Sequence, residues 1–403
     1  MRTRSSRTRS SRPALLALSL GYFALGTASL AVVGLSAPIG RDLHVRPATV
    51  GTLVTVFALV FALAAPAATI LLGRMCRKRA LLLGLGLLVA GGVAAAIAPG
   101  YPALCAARVL AGLGAAVFGP AASAAGSAIV PAEERAGALA TVFAGMTAAS
   151  VLGVPLASSA GDALGWRGTM LSVAALTAVA FALLARFLPA VEPEPAPTAR
   201  TFGGTLRAPG AMPMVGTTFM IMTAQFTVYG VAGAYLAARF GAAQGTVALV
   251  LFGFGALATL GNVLGSRLYT RLGGTGTVGL ALGCFAAGFA ALTGIPGSLP
   301  LALPALAVWA FASGLFMAPQ QARLVELLPE RRGVLLALNA SGLYLGMSLG
   351  SLAGSALLPA LGARPLSAFP LLPLALAAVA HLASARHIRP VRAVAEGPVL
   401  THH

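Results

Sequence analysis

The sequence predicts an all-α membrane protein, with about twelve transmembrane helices in two pseudo-symmetric bundles of six. Of its 403 residues, 58% are hydrophobic and only 9% are charged, whereas soluble domains carry roughly 25% charged residues. Apolar runs of about 20 residues, the length that crosses a hydrocarbon core of about 30 Å, recur along the chain. Features of the first half return in the second half at a nearly constant distance. These observations exclude a soluble globular enzyme.

The apolar runs mark the individual spans. They are long, they lack the polar alternation of a barrel strand, and a helix satisfies its own backbone hydrogen bonds in lipid. The expected spans are residues 14–38, 48–73, 79–99, 102–129, 134–160, 166–189, 211–238, 243–268, 275–295, 299–327, 331–358 and 363–386.

The polar segments divide the chain into two bundles. The longest of them, rich in proline and glycine, lies between the sixth and seventh spans and is expected to be a cytoplasmic linker. The expected organisation is a basic cytoplasmic tail at residues 1–13, a first bundle at 14–187, the linker at 188–213, a second bundle at 214–386 and a second cytoplasmic tail at 387–403.

The net charge of +18 would suggest a nucleic-acid partner in a soluble protein, but here the charge follows the membrane topology. With the N-terminus inside, 21 of the 27 Lys and Arg residues, Arg323 among them, fall in cytoplasmic segments. This bias is the positive-inside rule. It predicts a multi-pass protein of the bacterial inner or plasma membrane, with both termini cytoplasmic, contacts with anionic lipid headgroups and no nucleic-acid partner.

A shift of 197 positions brings a ladder of small residues in the fifth span onto a similar ladder in the eleventh. The paired residues are Gly145, Ala149, Gly153 and Ala157 with Gly342, Gly346, Gly350 and Gly354. Small residues four apart let helices approach closely. The ladders therefore predict tight packing, compatible with a smooth surface on which one half rocks against the other. The repeat makes the cleft between the halves the expected binding site.

Three motifs carry a resemblance to a known family. The loop after the second span, LLGRMCRKRALL, contains the basic cluster Arg74, Arg77, Lys78 and Arg79. The fourth span has the pattern L-x-x-x-R-x-x-x-G-x-G around Arg108, and the fifth has a G-x-P core at Gly153 and Pro155. The chain resembles the major facilitator superfamily, and within it the twelve-span drug/proton antiporters and arabinose-efflux-like permeases. Gly73 stands where the family's loop motif has an acidic residue, so the gating role of that motif is not carried over.

The resemblance implies the major facilitator fold, in which the first, fourth, seventh and tenth spans line the cleft. The candidate pathway residues, with two more from the eleventh span, are Tyr22, Thr27, Ser29, Arg108, Gln225, Tyr229, Trp309, Gln320, Asn339 and Tyr344. This set is largely apolar with a few hydrogen-bonding groups, which suits an amphipathic neutral or anionic small molecule. It suits a lipophilic dication poorly, because no carboxylate lies inside a span to balance the charge.

The acidic residues all fall in predicted loops, tails or helix ends, so proton coupling cannot use a deep carboxylate. One hypothesis pairs Arg108 with Asp42 or Asp162 at the outer ends of helices. The alternative is that Arg108 contacts the substrate directly and the acids are dispensable. Glu326 and His381 are further titratable groups near the inner surface. The three cysteines show no metal-ligand spacing, and no metal or cofactor is expected.

The predicted function is secondary transport: export of small amphipathic molecules such as drugs or antibiotics, coupled to protons, by a monomer whose halves alternate access. A sugar or metabolite efflux permease is one alternative, and a transporter-like membrane receptor is another. No nucleotide loop, His-rich cluster or Ser/His/Asp constellation appears within the spans, so a membrane enzyme is not expected.

Overall fold

A computed structural model describes residues 3–131, 134–191 and 199–387. The rest of the expected tails and residues 192–198 of the expected linker lie outside the described residues. The first half contains α1 Thr3–Gly34, α2 Ser36–Asp42, α3 Thr52–Leu71, α4 Arg77–Ala96, α5 Tyr101–Ala128, α6 Arg135–Ala148, α7 Val154–Ala163 and α8 Gly165–Phe187. The remainder contains α9 Ala199–Leu206, α10 Ala211–Tyr229, α11 Ala232–Phe240, α12 Gln244–Gly294, α13 Leu299–Leu315, α14 Met317–Leu327, α15 Arg332–Leu361, α16 Ala363–Leu366 and α17 Leu371–Ala385. No strand occurs in the described ranges.

The described helices account for the expected twelve spans. Ten are long and apolar enough to cross a membrane, and α10 with α11 form a further span bent by 50°. One of the ten, α12, has 51 residues, and a straight helix of that length would measure about 76 Å, over twice the hydrocarbon thickness. Its chain turns at Gly273, where φ is 66°, a conformation that glycine adopts without strain. We therefore assign the expected eighth and ninth spans to the two arms of α12.

Two further spans are interrupted, each close to a proline. Between α6 and α7, residues Ala149–Gly153 form a π-helical turn immediately before Pro155. The tenth span is divided at Phe316 into α13 and α14, three residues before Pro319. Because proline has no backbone N–H, it leaves a carbonyl of the preceding turn without its helical partner. The linker also carries a short helix, α9, that the sequence analysis did not predict.

The two glycine ladders pack within each half. A Cβ atom at Gly145 would overlap the carbonyl oxygen of Ser19 in α1, and one at Gly346 would overlap that of Phe219 in α10. Two further ladder residues are packed in the same way: Gly153 lies against Thr27, and Gly350 lies against Thr223. The fifth span is thus packed on the first, and the eleventh on the seventh. In this structure the ladders therefore do not form the surface between the halves that the sequence analysis considered, and other residues form that surface.

An even number of spans in each half places the start of α1, the described part of the linker and the end of α17 at one face of the bundle, here called the linker face, opposite the far face. The halves are hydrogen-bonded to each other in the part nearer the far face. Ser351 Oγ donates to the Gly51 carbonyl at 2.8 Å, and Ser348 Oγ donates to the Thr55 carbonyl at 3.2 Å. Near mid-depth, the ring of Tyr344 stacks on Phe61 with centroids 3.7 Å apart.

A second contact between the halves lies at the far end of the fifth and eighth spans. The side-chain amide of Gln244, at the start of α12, donates to Ser158 Oγ at 3.0 Å, to the Ser158 carbonyl at 3.2 Å and to the carbonyl of Gly34. Deeper in the same seam, Gly255 lies against the carbonyl of Ser150 in the π-helical turn. We call these two contact regions together the far gate, and in this structure the far gate is closed.

Candidate functional site

The candidate pathway residues of the first span are occupied by hydrogen bonds within their own half. Tyr22 is 6% exposed, and its hydroxyl donates to the Gly119 carbonyl at 2.7 Å and lies 2.9 Å from Ser123 Oγ. Thr27 and Ser29 bond back to carbonyls of α1 at 2.8 Å each. A substrate would have to displace these bonds before it could use the same groups.

Arg108 is buried, with 3% of its surface exposed, and it bonds to backbone rather than to an acid. Its Nε donates to the Leu53 carbonyl at 3.1 Å, and its two terminal nitrogens donate to the carbonyls of Ala28 and Ser29 at 2.6 Å each. The guanidinium carbon lies 4.5 Å from the centroid of the Phe57 ring. The side chain therefore ties the fourth span to the first and second.

The expected pair between Arg108 and an outer carboxylate is not formed in this structure. Asp42 accepts hydrogen bonds from Arg167 and, at 3.0 Å, from the Trp166 indole. Arg167 also donates to the Ala98 carbonyl at 3.1 Å, so the cluster joins α2, α8 and the loop before α5. The second expected acid, Asp162, is exposed near the end of α7. The sequence analysis did not predict Arg167 as the partner of Asp42, because the two residues are 125 positions apart.

The hydrogen bond from Arg167, followed by that from Trp166, holds the pKa of Asp42 below its ordinary value of 3.8. Asp42 is therefore ionised at neutral pH, and we expect Asp42→Asn to weaken the cluster there. A carboxyl group whose pKa is lowered by folding stabilises the protein at pH values above its ordinary pKa. This stabilisation is lost as the pH falls through the pKa of the folded state. The parent should have a higher thermal midpoint than Asp42→Asn. This difference should stay constant as the pH is lowered from neutral to values still well above 3.8, and it should vanish in stronger acid. A difference that disappears near neutrality would contradict this assignment.

In the second half, the candidates Tyr229 and Trp309 belong to an aromatic cluster. The Tyr229 ring lies 4.9 Å from Phe254 and 6.4 Å from Trp309, and Trp309 and Phe254 meet edge to face at 5.0 Å. The three rings line a narrow cavity of about 20 Å³ between α10, α11, α12 and α13, whose other walls are aliphatic or alanine, except for Tyr235. Its lining residues all belong to the second half, and Phe254 and Trp309 each lie ten residues from the far-face ends of α12 and α13.

Several buried polar atoms in the second half have no hydrogen-bond partner. Besides the Nε atoms of Arg239 and Arg323, they are Trp309 Nε1, Gln225 Oε1, Asn339 Oδ1 and Ser341 Oγ, and the first three of these four belong to candidate pathway residues. Burying such a group without a partner costs about 1–3 kcal/mol, so native structures generally supply one. These donors and acceptors are free to bind water or a polar group of a ligand. The first half has no comparable set among the candidates.

Gln320 belongs to a different cluster, which the sequence analysis did not predict as a unit. Its amide nitrogen donates to the Met214 carbonyl at 2.8 Å, and its oxygen accepts from Arg323 at 2.8 Å. Arg323 was expected in a cytoplasmic segment, but it is 0% exposed and also contacts His381 and Ser384 of α17. The sequence placed Arg323 in a cytoplasmic segment because it lies four residues from the end of its span, where a cation normally reaches the interface.

The basic loop cluster lies at the linker face, between α3 and α4. Arg74 and Arg79 are exposed, and Arg77 and Lys78 are partly buried at the start of α4. The backbone N–H of Arg77 donates to the Val191 carbonyl at 3.0 Å, which attaches this loop to the beginning of the linker. The exposed cations form a basic surface at the level expected for lipid headgroups.

Comparisons with known proteins agree with this architecture. The family model described as Major Facilitator Superfamily matches residues 17–211 and 214–399. The chain is 30% identical over 357 residues to Inner membrane transport protein YdhP of Escherichia coli K12, covering 86% of this chain and 89% of that protein. It is 25% identical to a Mannheimia succiniciproducens protein named "Probable sugar efflux transporter", covering 86% and 87% respectively.

Solved structures show the same fold. The crystal structure of a bacterial homologue to the human lysosomal transporter Spinster, in an inward-facing and unoccupied conformation, superposes with a TM-score of 0.76 at 18% identity. The alignment covers 94% of this chain and 98% of that one. From the match of the family model across both halves and the identity to YdhP, the chain belongs to the Major Facilitator Superfamily and is a multi-pass membrane transporter rather than an enzyme.

Proposed function

We propose that the chain is a proton-coupled exporter of small, largely apolar molecules that carry a few hydrogen-bonding groups. The observation that carries this proposal is the aromatic cavity of Tyr229, Phe254 and Trp309, where Trp309 Nε1 has no partner, together with the unpartnered Gln225 Oε1 one helical turn before Tyr229 on α10. Apolar walls with a few polar groups are typical of sites that bind amphipathic ligands. Drugs and antibiotics of this kind are the expected substrates.

The charges around the pathway favour a neutral or anionic substrate. Among the described residues no Asp or Glu is buried, while Arg108 and Arg323 are both buried. A lipophilic dication would lose its hydration without gaining a countercharge. A sugar or metabolite is the second candidate, because the amides of Gln225 and Asn339 are free to bond hydroxyl groups and a relative carries the name of a sugar exporter.

Export also requires a direction. Under the positive-inside rule the linker face is cytoplasmic, and the closed far gate then corresponds to a conformation closed toward the outside. Substrate would enter from the cytoplasm or the inner leaflet and leave after the far gate opens. This orientation, with both termini inside, is part of the proposal.

Transport by the purified protein in liposomes tests the proposal. With a pH gradient imposed, neutral and anionic amphipaths should accumulate against their gradient, whereas dications and, for the leading candidate, sugars should not. Accumulation of sugars alone would favour the second candidate, and tight binding without any transport would indicate a receptor. Cysteine labelling at the basic loop, for example at Arg74→Cys, checks the orientation, because reaction from the outside only would contradict it.

Trp309→Phe keeps the aromatic ring but removes the free indole donor. We expect substrate affinity to fall by about fivefold to tenfold, the equivalent of one hydrogen bond of about 1–1.5 kcal/mol. The other tryptophan provides the matched control, because Trp166→Phe removes an indole bond to Asp42 outside the cavity. Equal affinity in the parent and Trp309→Phe proteins, measured by tracer binding, would remove Trp309 from the site.

A further inference from the structure

A buried arginine in the second half is held by uncharged groups. Arg323 Nη1 donates to Gln320 Oε1 at 2.8 Å and lies 3.0 Å from Nδ1 of His381, while Nη2 donates to Ser384 Oγ at 2.7 Å. Its Nε is buried without a partner. Arg323 and His381 are 0% and 4% exposed. The cluster thus attaches α14, the half of the tenth span nearer the linker face, to α17.

No carboxylate neutralises Arg323 within the described residues. The nearest acid along α14 is Glu326, whose carboxylate accepts a hydrogen bond from Tyr269 of α12 instead. On the other elements packed here, α10 contributes only the Met214 carbonyl and the Thr218 hydroxyl, and His387 lies at the end of α17 against Gly210. Other charged residues at this end of the bundle are exposed: Arg267 and Arg271 on α12, Arg386 after α17, and Glu330, Arg331 and Arg332 after α14.

The hydrogen bonds define the protonation state of His381. Arginine can only donate, so Nδ1 must accept from Arg323 and cannot carry a proton in this arrangement. The other ring nitrogen, Nε2, faces α12 near Gly279. His381 is therefore the neutral tautomer with its proton on Nε2. A proton on Nδ1 would replace the bond to Arg323 with a contact between two cations.

We propose that His381 is a proton-binding site of the transport cycle and that protonation expels the Arg323 side chain from its buried position. Protonated His381 and docked Arg323 exclude each other, because no buried anion is present to hold both charges. The released guanidinium would move along α14 toward Glu326, three residues on and on a neighbouring face of the helix. This inference rests on the proton coupling in the proposed function and names the residue that accepts the proton.

Release of Arg323 has a structural consequence. Gln320 and Arg323 together join α14 to α10 and α17, and the interruption at Phe316 separates α14 from α13. Loss of the Arg323 bonds would free α14 to move independently of the aromatic cavity, which lies on the other side of the interruption at Phe316. Proton binding near the linker face would thereby bias the conformation of the linker-face half of the tenth span, a two-state element moved by a local charge.

The test uses labelling that needs no substrate. In a protein lacking Cys76, Cys105 and Cys284, a cysteine at Leu324, which is 0% exposed beside Arg323, reports on whether α14 is docked. Its labelling should be slow near pH 8 and become about tenfold faster as the pH is lowered to about 4, because burial and the docked guanidinium oppose the positive charge on His381. His381→Asn can still accept the hydrogen bond from Arg323 but cannot be protonated, so its labelling should stay slow at every pH.

The matched control is His387→Asn, a change at the exposed end of the same helix, which should keep the pH dependence. In liposomes, His381→Asn should lose accumulation driven by a pH gradient but keep substrate exchange. A pH-dependent labelling rate in His381→Asn equal to that of the parent would overturn the proposal. If no substrate is transported by the parent, the proposed function fails, yet the labelling experiment still decides the proton site.

Two measurements keep the test valid if His381→Asn does not fold. Arg323→Gln places an uncharged side chain in the cluster that is not repelled by a protonated histidine, so its labelling should also lose the pH dependence. In the unmodified protein, the imidazole nitrogen shifts of His381 at high pH should be those of the tautomer protonated at Nε2. Protonation at Nδ1 in that state would overturn the proposal by itself.

Discussion

Gly255→Leu is expected to abolish transport while leaving a folded protein in the membrane. Gly255 is buried in α12, and a Cβ atom there would overlap the carbonyl of Ser150 in the π-helical turn of the opposite half. A backbone carbonyl cannot move aside as a flexible side chain can, so the two helices must separate. The packing of each half on itself does not involve this contact. The variant should therefore fold but fail to close the far gate.

The chain provides a close control in Gly253→Leu. Gly253 lies on the same helix two residues earlier, and no atom lies within 4 Å of a Cβ placed there. Labelling of a cysteine introduced at Ser351, which is 0% exposed and bonded across the far gate to Gly51, measures closure from the far side. Gly255→Leu should accelerate this labelling and Gly253→Leu should not. Transport at the parent rate by Gly255→Leu would show that this seam does not close during the cycle.

Much of the fold could be predicted because the membrane restricts the possible structures. Length and hydropathy located the spans, and the 197-residue repeat identified the two halves. The glycine ladders predicted close packing, but a ladder cannot identify the helix against which it packs. Gly145 and Gly346 lie against α1 and α10 of their own halves, while the far gate uses serines such as Ser351 that carry no periodic signal. The eighth and ninth spans were predicted separately, and the chain does turn between them at Gly273.

The partners of the charged residues were less predictable. Hydropathy places a cation near the end of a span at the interface, but Arg323 is buried because Ser384, 61 residues later, and His381 fold onto it. One hypothesis paired Arg108 with an acid, but its acceptors in this structure are main-chain carbonyls, which every residue has and no sequence pattern identifies. A role of Arg108 in the transport pathway stays a prediction, and its hydrogen bonds allow a more specific test of that role.

Arg108→Ala is expected to lower the stability of the first half by about 3–5 kcal/mol, the range for large losses from buried networks. The change leaves the carbonyls of Ala28, Ser29 and Leu53 without the guanidinium and opens a void beside Phe57. Arg108→Lys keeps the charge, but a single ammonium on a flexible stem cannot reproduce the planar fork. Its thermal midpoint should lie between those of the parent and the alanine variant.

The matched control is Arg239 at the far face of the second half. This side chain also donates to two carbonyls, those of Leu292 and Ile295 at 2.7 and 2.8 Å, but it is only partly buried. Arg239→Ala should therefore cost less than Arg108→Ala, because water replaces the lost donor at an accessible site. Thermal unfolding of the purified variants in detergent compares the two changes directly.

Comparison with the acid variants separates the possible roles of Arg108. If Arg108 acts only by holding the carbonyls of Ala28, Ser29 and Leu53, Asp42→Asn and Asp162→Asn should bind and export substrate normally at matched expression. If Arg108 works through an acid in another conformation, one of these variants should lose export driven by a pH gradient but retain binding. If Arg108 contacts the substrate, Arg108→Lys should lose binding even at temperatures well below its thermal midpoint, where the variant is folded. A parental thermal midpoint together with full export in Arg108→Ala would contradict all three roles.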